Sequence, residues 1–300
     1  MNLSSNPSST ESLHAEAPDS DSPDTESLPS EVAHTGRFRW SASRLKRLLQ
    51  CPRQFRYMYI EGLPTLTTAP LAFGRVIHEV VCAAHEAQMT SGGLPAPEAL
   101  LARFDAGWEE ILARQEILFR ASHPAPERYV KQGHETLRVF HALNQKAAPP
   151  LAVELAFEVE IGPHQVRGVI DRVDEVTGHD AERGLLIVDY KSGARKPNQS
   201  EADSDLQLTL YAQALEMWLE LPVGGVEFHA LRDGSRFAST RNRHHFAWLG
   251  EVFAYGEHLR ERGEYPPCPG FWCRWCDFQR ECQAEGLPLT KGGESDGLRR

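Results

Sequence analysis

Two short segments set acids and an amine at strand spacing, GVIDRVDE (Gly168 to Glu175) and IVDYKSG (Ile187 to Gly193). Alternation in the second places Leu185, Ile187, Asp189 and Lys191 on one face, so an acid and an amine emerge beside two apolar residues. A hairpin symmetric about Asp180 pairs position 171 with 189 and brings the Cβ atoms of Asp171 and Asp189 to roughly 4.5–5.5 Å. Carboxylates that close repel unless one is protonated or a cation lies between them. Hard oxygen ligands with open positions suit Mg²⁺ or Mn²⁺. The competing reading is a surface hairpin with a Lys–Asp pair. Glu154 and Asp174 are spare acids nearby in sequence, and the default for Glu154 is a solvent-facing strand residue.

A second signal is Cys273-x2-Cys276-x5-Cys282. Packing does not explain three cysteines in ten residues separated by charged and aromatic residues, and a fourth thiolate is needed to complete a tetrahedral site or a cluster. Zinc held by four cysteines satisfies the same ligand type. Cys268 offers a further sulfur, and Cys82, on an apolar helix, reads as a buried thiol. A third signal is basic. From Arg37 to Arg56 there are seven basic residues and no acids, Arg44 and Arg53 among them, interleaved with Phe38, Trp40, Phe55 and Tyr57. Cations and rings together suit phosphates and bases, although a solvated basic helix face has the same composition.

The elements that must position these residues follow from periodicity. Ser41 or Ser43 caps a helix through Leu45, Leu48 and Leu49 to the Cys51-Pro52 break. Phe73 to Gln88 carries Val76, Ile77, Val80, Val81 and Ala84 at helical spacing. After the Gly92-Gly93 loop comes a helix with Leu101, Phe104, Trp108, Ile111 and Leu112 on one side, then another from about Glu127 to Asn144. The period changes at Val153 to Ile161, which alternates as a half-buried strand and ends at Gly162-Pro163. Val166 to Val176 and Gly184 to Tyr190 are strands around a polar turn, Thr177 to Arg183. A helix over about Asp205 to Glu220, a hairpin at Asp233-Gly234 and a helix over about His244 to Arg262 complete an α/β body, with one sheet flanked by helices.

The chain has 300 residues, 32 Lys+Arg against 42 Asp+Glu, and a formal net charge of −10. Residues 1–36 hold seven of the acids, no Lys or Arg, and a Ser/Pro/Thr-rich composition expected to stay disordered. The remainder is nearly balanced, so the total does not oppose an anionic partner. No stretch reaches the roughly 20 apolar residues of a membrane span, and no secretory signal opens the chain. A cytoplasmic protein with reduced thiols is expected, and no membrane partner.

An acid on one strand followed by Asp-x-Lys on the next resembles the PD-(D/E)XK nuclease core, in particular its RecB-like and AddB-like branch. Four further segments match in the family's order: SASRLKRLLQCPRQFRYMYIEGL, GRVIHEVV around His78, LQLTLYAQAL with Gln207 and Tyr211, and FWCRWCDFQREC. Ile170 departs from the Pro of the motif's name. The resemblance covers nearly all of residues 40–283 and implies a restriction-endonuclease-like fold: a central mixed sheet flanked by helices, with a helical insertion at about 86–148, a nuclease core at about 150–245 and a cysteine region at 268–282 joined to the N-terminal segment. The nuclease domain is expected over 37–285, with a flexible tail at 286–300.

The resemblance makes His78, Asp171 and Asp189 ligands of Mg²⁺ or Mn²⁺, Lys191 the catalytic lysine, and Gln207 and Tyr211 substrate-facing. Arg44 and Arg53, from the basic run, are candidate substrate contacts. It also implies that Cys51 joins Cys273, Cys276 and Cys282 around a [4Fe-4S] cluster. The implied function is metal-dependent cleavage of DNA from single-stranded ends in repair or recombination. The alternatives are a CRISPR-adaptation nuclease and a non-catalytic iron-sulfur scaffold subunit. No GxxxxGK[ST] phosphate loop occurs in the sequence, so unwinding would come from a helicase partner in trans.

Overall fold

The computed structural model describes residues 38–120, 122–177 and 183–287. The acidic segment 1–36, the tip of the polar turn and nearly all of 286–300 lie outside the described residues. Among the described residues six strands make one mixed sheet. They are β1 (Arg39–Trp40), β2 (Ala152–Ile161), β3 (His164–Thr177), β4 (Arg183–Lys191), β5 (Val223–Ala230) and β6 (Ser235–Ser239). The order is β1-β3-β4-β5-β6, with β2 paired to β3; β1/β3 and β4/β5 are parallel and the other pairs antiparallel. The parallel β4/β5 pair needs a crossover, which α6 (Gln199–Ser204) and α7 (Leu206–Leu219) supply.

Helices cover both faces of this sheet. On one face Leu185 and Ile187 of β4 join Leu45 and Leu48 of α1 (Ala42–Gln50), Leu208 and Leu215 of α7, and Leu249 and Phe253 of α8 (Arg243–Arg262). On the other, Val188 and Tyr190 join α3 (Ala69–Ser91), α4 (Pro97–Arg114) and α5 (Pro126–Asn144). A strand buried on both faces reads as a continuous apolar run, which is why LLIV precedes Asp189. Two short helices, α2 (Pro52–Phe55) and α9 (Gln279–Ala284), with a 3₁₀ turn at Phe271–Trp275, complete the N- and C-terminal ends.

The periodic helices lie where the sequence puts them, within a few residues. Ser41 caps α1 by accepting the Arg44 N–H, and Asp205 caps α7 by accepting from Leu208. The β3/β4 ladder runs from Arg172↔Val188 to Thr177↔Arg183, the register of a hairpin symmetric about position 180.

Strand β3 is less regular than its sequence. Val166 and Ile170 belong to the first core, but so does Val173, so the strand changes face between 170 and 173. Opposite this point the β2/β3 ladder pairs Val153↔Arg172 and Leu155↔Ile170 but skips the Glu154/Asp171 rung, where Glu154 has φ +45°. Left-handed backbone is unfavourable for a residue with a Cβ, by roughly 1–2 kcal/mol.

Candidate active site

Asp171 lies in β3 next to the change of face, and its Oδ2 accepts the backbone N–H of Tyr190 in β4 at 2.7 Å. His78, on the first half of α3, brings Nδ1 to 3.7 Å from the same oxygen. Glu154 completes the group: one ligand atom each from His78, Glu154 and Asp171 lie within 4.8 Å of one another. The expectation of a solvent-facing Glu154 is therefore corrected. The residue is half-buried and turned toward His78 and Asp171 by its left-handed backbone. The sequence did carry a signal for it. A two-residue turn at Gly162-Pro163 pairs Ile161 with His164, and counting back along that ladder sets 154 opposite 171.

Asp189 and Lys191 emerge from the end of β4 toward the α1/α7 side. Lys191 Nζ is 2.5 Å from Asp189 Oδ2 and 4.6 Å from the centre of the Phe228 ring. Asp189 Oδ2 is buried and accepts no aligned hydrogen bond, only this ion pair. Of the three side chains expected to share one ion, His78 and Asp171 come together, while Asp189 is drawn to Lys191 and lies outside the three-ligand group.

Burial and charge pull these groups in opposite directions. Burial raises Asp171, but the imidazole of His78, the Tyr190 N–H and Lys191 outweigh it and hold the carboxyl below its ordinary value. Burial also raises Asp189; the charge of Asp171 adds to it, Lys191 and Lys46 oppose it, and the net shift is upward. For His78, burial lowers the pKa while Asp171, Asp189 and Glu154 raise it, to about 9. Lys191 is likewise lowered by burial and raised further by Asp189, ending above its ordinary value as an ammonium.

A divalent cation fits this donor set. An octahedral ion with bonds near 2.1 Å sets neighbouring ligand atoms about 3 Å apart, so the 3.7 Å between His78 and Asp171 needs to close by less than about 1 Å for both to bind one ion. Two carboxylates, Glu154 and Asp171, and an imidazole nitrogen offer such an ion hard and borderline donors.

The substrate-facing candidates separate. Gln207 and Tyr211 share a face of α7, with Gln207 Nε2 donating to the Tyr211 hydroxyl at 3.1 Å and Gln207 Oε1 accepting from Lys46 Nζ at 3.0 Å. Tyr211 packs edge-on against Phe157, and both rings lie on Gly168, where an added Cβ would sit 2.7 Å from Phe157 and 3.0 Å from Tyr211. Arg44 is buried, donates to the Arg39 carbonyl and stacks on Phe38 and Tyr59. Arg53 pairs with Glu285 and borders Cys282. Lys46, from the same basic run, is the residue that opens onto the cleft beside Lys191.

The cysteines meet where the chain after α1 joins the C-terminal segment. Cys51, Cys268, Cys273, Cys276 and Cys282 all line one recess with Tyr57, Trp272 and Phe278. The Cys268 N–H donates to Cys51 Sγ and the Gly270 N–H to Cys273 Sγ, both at 3.4 Å. Burial, with the nearby Cys51 and Cys273 sulfurs adding to it, pushes the Cys276 thiol up to about 11. Cys82 is half-buried rather than buried, with its thiol 3.6 Å from Glu86.

Comparison with known proteins adds a family. A family model described as the PD-(D/E)XK nuclease superfamily matches residues 39–283. Gene 69 protein of Mycobacterium phage L5 is 31% identical over 141 residues, 45% of each chain. An ATP-dependent helicase/deoxyribonuclease subunit of Symbiobacterium thermophilum is 27% identical over 205 residues, 58% of this chain and 17% of its own. The matched region thus spans less than half of either relative. A crystal structure from Eubacterium rectale covers 89% of this chain and 96% of its own at 12% identity and TM-score 0.47, a likeness that carries no argument about activity. Among the described residues no helix is long and apolar enough to cross a membrane.

Proposed function

This chain belongs to the PD-(D/E)XK nuclease superfamily, and from that premise we propose that it is a divalent-metal-dependent deoxyribonuclease acting on single-stranded DNA ends in repair or recombination. The observation that carries the reading is the convergence of His78, Glu154 and Asp171 beside the Asp189–Lys191 pair. An Mg²⁺ or Mn²⁺ ion bound there would polarise the phosphate and lower the pKa of a water molecule. The ligands would be His78, Glu154 and Asp171, with Asp189 next to them.

The chain's own residues do the rest. Asp171 is favoured in its charged form by His78 and the Tyr190 N–H, and the latter fixes its orientation. Lys191, paired with Asp189 at the end of β4, would stabilise negative charge growing on the phosphate or orient or deprotonate the attacking water. Asp189 holds that amine in place. Gln207, backed by the buried Tyr211, would act on the substrate through Lys46, whose Nζ donates to its amide oxygen. The likeness to a helicase/deoxyribonuclease subunit supports a helicase acting in trans.

We also propose that Cys51, Cys273, Cys276 and Cys282 hold a [4Fe-4S] cluster that clamps the two ends of the domain. The convergence of these cysteines on one recess and the N–H groups aimed at the Cys51 and Cys273 sulfurs support this reading, and zinc in a tetrahedron of the same sulfurs is the alternative.

Labelled single-stranded DNA incubated with Mn²⁺ and either wild type or Lys191→Ala tests the nuclease. Degradation by wild type and a loss of roughly 10³-fold in the variant is expected; equal cleavage by both overturns the assignment. For the cluster, protein purified without oxygen should be brown and contain iron. Colourless protein with one zinc per chain replaces the cluster and leaves the nuclease standing.

A further inference from the structure

Lys46 projects from the middle of α1 toward the N-terminal end of α7. Its Nζ donates to Asp205 Oδ2 and to Gln207 Oε1, each at 3.0 Å. Asp205 is itself fixed, because its other oxygen caps α7 by accepting the Leu208 N–H at 2.9 Å. An ammonium has three N–H donors, so two bonds aim Lys46 and leave one donor without a protein partner among the described residues. The side chain is 38% exposed.

What Lys46 faces is a cleft of about 430 Å³, lined also by Lys191, Arg195 and Phe228. Lys191 enters from the sheet, its Nζ over Phe228. Lys46 enters from α1, close enough for its charge to act on Asp189. Arg195, on the loop after β4, stands at the mouth in a pair with Glu201. The acids that also line the cleft are committed, Asp205 to Lys46 and Glu201 to Arg195, so the ammonium groups of Lys46 and Lys191 are the sites it offers to phosphates of a strand, and only one of those phosphates can be at the Lys191 end.

We propose that Lys46 is a substrate-binding residue that holds the nucleic-acid phosphate next to the one being cut. This rests on the nuclease reading above and adds to it the direction in which the strand leaves the active site, from Lys191 toward α1 and the start of α7. Asp205 and Gln207 are then positioning residues: they hold the ammonium over the cleft without neutralising all of its donors.

The test uses the full chain, a labelled single-stranded oligonucleotide, and Lys46→Gln beside Lys46→Arg. With Ca²⁺ in place of Mn²⁺ to limit cleavage, a series of salt concentrations should give a binding slope lower by about one for Lys46→Gln, the signature of one lost phosphate contact. With Mn²⁺, KM should rise about tenfold with kcat changed less than threefold, and Lys46→Arg should restore most of the loss.

A neutral methylphosphonate placed at each position near the cut should weaken wild type at one position and leave Lys46→Gln indifferent there. Oligonucleotides with and without a terminal phosphate separate the sources: a loss seen only when it is present assigns an end phosphate, and a loss with both assigns the internal backbone. An unchanged salt slope and KM, with or without a lower melting temperature, makes Lys46 a tie between helices and overturns the proposal. Lys191→Ala distinguishes the two failures, because full activity in that variant removes the nuclease reading whatever Lys46→Gln does.

Discussion

The backbone N–H of Tyr190 donates to Oδ2 of Asp171 across two antiparallel strands at 2.7 Å, while the Tyr190 phenol, on the other face of the sheet, bonds His85 Nε2 at 2.8 Å. One residue therefore fixes a carboxylate of the active site and closes a buried polar network on α3. Asp171→Asn should keep this hydrogen bond, since the amide oxygen still accepts, but lose the charge that holds a cation. The expected outcome is a loss of roughly 10³-fold in DNA cleavage with a melting temperature within a few degrees of wild type. A variant that unfolds instead would make Asp171 a structural residue first.

Glu154 occupies left-handed backbone opposite Asp171. Glu154→Gln should weaken Mn²⁺ binding at least tenfold, by analogy with the 10- to 100-fold cost of disturbing even an outer partner of a metal site. Glu154→Gly should lose the same affinity while gaining about 1 kcal/mol of stability from relief of the backbone. Calorimetric titration with Mn²⁺ and thermal unfolding read the two effects separately. Unaltered Mn²⁺ affinity in both variants removes Glu154 from the site.

His85 is buried between Gln88, Tyr190 and Arg172, with Asp174 and His229 near. Burial, with Arg172 adding to it, depresses its pKa to about 4. The unfolded chain takes up this proton near pH 6.5 and the folded protein does not until about pH 4. The stability contributed by the neutral imidazole is therefore complete above pH 6.5 and is lost as the pH falls from there to 4. The loss should reach roughly 2–3 kcal/mol. Melting temperatures between pH 7 and pH 4 should fall less steeply in His85→Gln than in wild type, and parallel curves would contradict this.

Gly168 lies under two rings. An added methyl would press on Phe157 and Tyr211, so Gly168→Ala should cost about 1–3 kcal/mol as overpacking and raise KM by displacing Tyr211 from Gln207. Urea unfolding and steady-state kinetics measure both. A stable variant with normal kinetics shows that the rings move aside freely.

Cys51 and Cys268 differ in what they contribute. Cys268 is exposed, and its backbone N–H, not its sulfur, serves Cys51. Cys51→Ser should therefore abolish iron binding, whereas Cys268→Ser should keep it. Iron content and visible absorption after purification without oxygen decide between them, and the reverse pattern would exchange the two roles.

Much of this protein was legible from local rules. Helix periodicity and caps gave α1, α3, α7 and α8, because Ser41 and Asp205 act on backbone groups only a few residues away. The β3/β4 register also followed from Arg172↔Val188 to Thr177↔Arg183, since one connection fixes the rungs of an antiparallel pair, but the expected 171/189 rung lies beyond this ladder. The cysteine cluster announced itself because apolar packing has no use for that spacing.

Three matters were settled only in three dimensions. The turn at Gly162-Pro163 sets position 154 opposite 171, but the left-handed backbone of Glu154 and the change of face of β3 between 170 and 173 depend on which core claims each side chain rather than on alternation. Asp189 sits nearer Lys191 than the His78 group because buried opposite charges two residues apart on one strand face find each other before any distant partner does. Lys46, rather than Arg44 or Arg53, opens onto the cleft because the turn of α1 points Arg44 into the aromatic core, and the cysteine end of the fold claims Arg53. A sequence lists the cations of a helix; only its packing decides which of them meets the solvent.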